Sequence, residues 1–138
     1  MNEATFPVHS TDPGHVPIER PNLPQRIALG AINDPRDVPF VQLIVVLTVV
    51  MWPSAIYLAW PGNFRWWLAV PYFVMFVFFL GPFILMLHNT CHRKLFNKRF
   101  AWMNAYIPWV LGPLFGESPE TYNAHHVGMH HTENNLDD

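Results

Sequence analysis

Residues 38–60 read VPFVQLIVVLTVVMWPSAIYLAW, and residues 66–87 read WWLAVPYFVMFVFFLGPFILML. Between them stands only PGNFR, residues 61–65. At ~1.5 Å rise per residue the first run reaches roughly 35 Å, enough to cross a hydrocarbon core of ~30 Å. The second is nearly as long. Two spans joined by so short a turn must run antiparallel, as a transmembrane hairpin. Pro53 is expected to kink the first. Trp60, Trp66 and Trp67 flank the turn, as residues of an interfacial aromatic belt do.

Composition supports the hairpin. The chain has 138 residues, of which 51% are hydrophobic and only 13% charged, about half the usual charged share. No Asp or Glu occurs from Val38 to Gly116, and Arg65 is the one cation from Val38 to Leu87. Two buried helices of a soluble domain would need more covering chain than remains. A net charge of −2 without a sizeable basic cluster gives no case for nucleic acid. One cysteine, Cys91, excludes an internal disulfide framework. No short apolar run follows a basic start, so a cleaved signal peptide is not expected.

Outward from the hairpin, residues 1–37 hold six prolines and read as an irregular, Pro-rich arm. Residues 38–138 read as one membrane unit, with spans at about 38–60 and 66–87. Residues 100–115, FAWMNAYIPWVLGPLF, are apolar but broken by Pro108, Gly112 and Pro113. They are expected to form a re-entrant or interfacial segment. Ser118, Pro119 and Glu120 then carry helix-start signals, which places a short histidine-bearing helix at 118–133. The expected fold class is thus all-α membrane. Seven of the eight cations flank the hairpin on the side of its two ends, so the positive-inside rule puts the N-terminus and every histidine in the cytosol.

The histidines are the chemistry. His88 and His92, in HNTCH, are i and i+4 and share one helix face. His126 and His130 repeat that spacing in HHVGMHH, and His131 follows at once. On a helix His126 and His130 lie about 40° apart, His131 about 100° further round, and His125 about 140° from His130. His125 is therefore the weakest member, an optional sixth ligand. Neutral imidazole binds iron, zinc, copper and nickel. Five imidazoles exceed the needs of one tetrahedral zinc. His9 and His15 read as solvated side chains. A zinc-protease motif needs Glu after its first His, whereas Asn89 and Val127 stand there. Cys91 reads as a packed thiol, and the cluster Glu133, Asn134, Asn135, Asp137 and Asp138 as a solvated loop.

A hairpin ending in H-x-x-x-H, then a broken apolar stretch, then H-x-x-x-H-H resembles the membrane fatty acid desaturase and hydroxylase superfamily, over about Val38 to Asp138. The tail HHVGMHHTENNLDD is similar to the second histidine box of some of its members. The resemblance implies two iron ions held by about eight histidines, with dioxygen as co-substrate and an unactivated C–H bond of a lipid chain as the target. It implies His88 and His92 as first-box ligands and His126, His130 and His131 as second-box ligands. The implied partners are the membrane, a lipid or acyl-chain substrate, and a haem or iron–sulfur electron donor. The family pattern also needs a third box after further spans, so the chain is expected to be an N-terminal part, inactive alone.

Two other readings compete. A small membrane metal-binding or transport protein would place polar ligands within its spans, but beside its tyrosines this hairpin offers only Gln42, Thr48 and Ser54. A non-catalytic partner subunit would keep the fold and lose the site.

Overall fold

The computed structural model describes residues 18–122, and these are helical nearly throughout, with no strand among them. Two helices, Pro35–Ala59 and Trp66–His92, are long and apolar enough to cross a membrane. Only 17% of the apolar stretch of each is buried within the protein. A core helix of a soluble domain would be mostly covered. Here Val49, Phe73, Val74 and Phe78 are all more than half exposed, an outward face that suits lipid.

The turn between the spans is tight, as its sequence requires. Gly62 takes a positive φ of 84°, which a side chain would disfavour. Asn63 N–H donates to the Trp60 carbonyl at 3.0 Å, and the Arg65 guanidinium donates to the carbonyls of Gly62 and Phe64. Trp60, Trp66 and Trp67 stand out from the turn, 64%, 72% and 59% exposed, in the arrangement expected of interfacial anchors.

Prolines are absorbed in the spans rather than breaking them. Pro53 has no N–H, and its ring crowds the carbonyl four residues earlier. The turn just before it, Leu47–Met51, is π-helical, with Trp52 N–H reaching back to Leu47. That wider turn makes room for the ring. The second span continues through Pro71 and Pro82 and runs past the expected end at Leu87. Its last polar residues bond back to their own helix, Asn89 to the Leu85 carbonyl and Thr90 to that of Leu87.

The broken apolar stretch folds as consecutive short helices, Lys98–Ala105, Ile107–Leu111 and Gly112–Phe115. Ile107 and Leu111 are fully buried with Leu47, Met51, Phe83 and Met86 in the one core of the hairpin. Phe115 stacks on Phe83 at 4.4 Å between ring centroids and touches Phe76 at 5.2 Å. Tyr106 meets Thr48 at 2.9 Å. Thr48, Phe76 and Phe83 all lie near the middle of their spans, so this segment packs deep along the hairpin while Trp102 and Trp109 stay exposed. It ends in a Schellman turn: Glu117 N–H bonds to the Gly112 carbonyl, Gly116 N–H to that of Pro113, and Gly116 has φ 78°. The next helix starts at Pro119, where the capping signals place it.

The arm departs from expectation. Leu23–Ala31 is a helix, not an irregular stretch. Asn22 accepts from Gln25 N–H at 3.0 Å while the Gln25 side chain accepts from Asn22 N–H at 2.9 Å, a capping box. Pro24 falls in the first turn, where a missing N–H costs nothing. A proline there starts the helix rather than breaking it.

Candidate metal centre

His88 and His92 occupy the last turn of the second span, and His92 is its final helical residue. Both are exposed. Their rings sit 4.9 Å apart between centroids, 67° from coplanar. Two imidazoles bound to one first-row ion at ~2.1 Å per bond, with ligand angles of about 90–110°, have centroids about 4.6–5.3 Å apart. The separation of the two rings falls in that range. Cys91 points elsewhere: its Sγ donates to the His88 carbonyl at 2.8 Å, and it is half-buried.

This pair is one part of a site. Among the described residues no group of three or more His, Cys, Asp or Glu converges on a metal position. His126, His130 and His131, with the optional His125, lie outside the described residues, as do His9, His15 and the acidic tail.

The chain beyond His92 is pinned to the segment that leads into the first span. Arg93 caps the helix by donating its N–H to the Asn89 carbonyl at 3.1 Å. Its Nη1 donates to Asp34 Oδ2 at 2.9 Å and its Nη2 to Asp37 Oδ1 at 2.6 Å. Asp34 also binds Arg36 at 2.7 Å. Those Arg36 hydrogen bonds, from side chain and then backbone, hold the Asp34 carboxyl well below the usual carboxylate range, and Arg93 adds to the effect. A backbone bridge joins Ile32 to Phe96. Asn33 N–H donates to the Leu95 carbonyl and Asn97 N–H to the Ala31 carbonyl, each at 2.9 Å. The Asn33 amide donates to the carbonyls of Lys94 and Phe96, and the Asn97 amide to that of Gly30. Asn104 closes the corner through both the N–H and the carbonyl of Phe96.

No motif announces these residues. Arg93 reads in the sequence as one more positive charge, and Asp34 and Asp37 as the last acids before an apolar run. Two acids ahead of the first span and an Arg directly after the second histidine of a pair were the available signal.

A helical membrane hairpin carrying a histidine pair on the last turn of its second span defines the class. The fatty acid desaturase family model matches residues 64–138, more than half of the chain, and the chain belongs to that family. Comparison with curated proteins gave no match, and neither did comparison with solved structures.

Proposed function

We propose that this chain carries part of the di-iron site of a membrane lipid desaturase, with His88, His92, His126, His130 and His131 as ligands. One observation carries the reading: the family match spans both histidine clusters. The ring separation of the described pair, 4.9 Å, is one that a shared ion would also give. Bound iron would activate dioxygen for removal of hydrogen from an unactivated C–H bond of a lipid chain. The residues of this chain hold that chemistry at the end of an apolar hairpin. There an acyl chain arrives from the bilayer and a haem or iron–sulfur donor from water. The positive-inside rule assigns that side to the cytosol. Ligands beyond these five come from other segments, in the same or another chain.

One of the few polar groups in the spans is already taken, which disfavours the transport reading. Thr48, the hydroxyl nearest mid-span, is spent on the Ile44 carbonyl and on Tyr106.

The test is iron content after anaerobic loading of the purified full-length protein in nanodiscs, with lipid oxidation assayed in parallel. His88→Ala and His126→Ala should each lower bound iron and abolish lipid oxidation. Undiminished iron in both variants would sink the ligand assignment.

A further inference from the structure

Every helix end frays unless something holds it, because its last carbonyls lack partners in the helix. The proposed ligands His88 and His92 sit on such an end, and His92 is the final helical residue. A metal pair placed there needs an external brace, since ligand geometry is only as good as the shell that holds it.

The brace is the contact made by the next residue. Arg93 uses separate nitrogens for two carboxylates that lie one helical turn apart at the start of the first span. Asp37 is the one buried charged residue among those described, 5% exposed. An acid buried at the head of an apolar helix is costly unless paired, so Asp37 holds Arg93 in place as much as the reverse. Leu95 and Phe96 follow, 1% and 3% exposed, with their backbone taken by Asn33 and Asn104. The chain leaving the histidine pair thus has an ionic and an amide anchor, both on the segment from Asn33 to Asp37 at the start of the first span.

We propose that Arg93 is a positioning residue: with Asp34, Asp37 and the Asn33 bridge it forms a latch that fixes the His88–His92 turn against the start of the first span. The catalytic meaning of the latch rests on the di-iron reading; the latch itself does not. An Arg fork binding two fixed acids specifies orientation as well as distance, which a Lys at the same position cannot do. The latch lets the first histidine pair keep one position before any metal or second cluster arrives.

Cys91, the chain's only cysteine, lies between the two histidines and takes a nitroxide label. A second label goes on Ile27→Cys, an exposed position of the N-terminal helix. Electron paramagnetic resonance on the protein in nanodiscs then reads the distance between them, with helical content checked by circular dichroism. The expected result is one narrow distance for the unmutated latch. Arg93→Ala and Asn33→Ala should lose that single peak while helical content stays unchanged, and Arg93→Lys should regain it only in part. A peak as narrow in Arg93→Ala and Asn33→Ala as in the parent overturns the latch. If Arg93→Ala does not fold, Arg93→Lys decides: a broadened peak supports the proposal and an unchanged one overturns it. Iron content of His88→Ala separates the two ideas. Iron retained there and in His126→Ala with distances lost in Arg93→Ala removes the metal reading and leaves the latch; iron lost with distances unchanged does the opposite.

Discussion

Thr48 Oγ1 lies 2.9 Å from Tyr106 Oη and 2.7 Å from the Ile44 carbonyl. A hydroxyl has one hydrogen, and the carbonyl can only accept. Thr48 therefore donates to Ile44, and Tyr106 donates to Thr48. Such a bond within a membrane bundle is worth about 0.5–1.5 kcal/mol. Tyr106→Phe should cost that much in denaturant unfolding from mixed micelles. Tyr106→Phe combined with Thr48→Val should cost less than the sum of the single changes. Full additivity would show that the two hydroxyls do not interact.

Phe115 fills the space between Phe76 and Phe83. Phe115→Ala should destabilise by about 2–4 kcal/mol, toward the low side for a core aromatic because lipid as well as water can enter the gap. Phe115→Leu should cost clearly less. The unfolding midpoint reads both, and equal midpoints for Phe115→Ala and the parent would contradict the packing role.

Gly112 has no room for a side chain. A Cβ there would stand 2.9 Å from the carbonyl oxygen of Glu117, a backbone atom that cannot swing away alone. Gly112→Ala should cost about 1–3 kcal/mol and shift the Schellman turn that leads into Pro119. Since the second histidine cluster follows that turn, bound iron should fall as well. Gly30→Ala, where a Cβ meets nothing, is the control and should leave iron content intact.

Asp34 predicts how the latch responds to acid. Its folded-state carboxyl ionises well below the ordinary value of 3.8. A depressed acid contributes stability that is fully present above the unfolded value and is lost as pH falls through the folded one. The Asp34 contribution to the distance between labels at Cys91 and Ile27→Cys should therefore be constant from neutral pH down to about pH 4 and weaken in stronger acid, whereas burial pushes the Asp37 carboxyl up and places its protonation at higher pH than that of Asp34. Asp34→Asn should remove the charge-assisted contribution at neutral pH, and its difference from the parent should shrink as the pH is lowered below 3.8. A transition at higher pH that persists in Asp34→Asn and vanishes in Asp37→Asn belongs to Asp37.

Asp37→Ala leaves Arg93 one carboxylate short but still half-exposed to water, so the loss should be about 1–2 kcal/mol rather than that of a fully buried pair. The melting temperature in nanodiscs checks it.

Much of this molecule is legible in the order of its residues. The apolar runs, the five-residue turn and its tryptophans specify a hairpin, because span length and belt residues answer directly to bilayer dimensions. The i,i+4 spacing of His88 and His92 puts them on one helix face, because helical periodicity is local. The start of a helix at Pro119 follows from local capping chemistry. The start of the helix at Leu23–Ala31 is also local: Asn22, Pro24 and Gln25 are its start signals.

Sequence alone determined the spans, the turn and the histidine spacing, since each depends on neighbours a few residues apart. Tertiary structure decided the rest. Arg93 meets Asp34 and Asp37 across more than fifty intervening residues, and Phe115 finds Phe76 and Phe83 across more than thirty. No periodicity records such pairings, because they arise only when the hairpin closes and brings its two ends side by side. The same closure turns an Arg that looked like a topology signal into the anchor of the histidine-bearing turn.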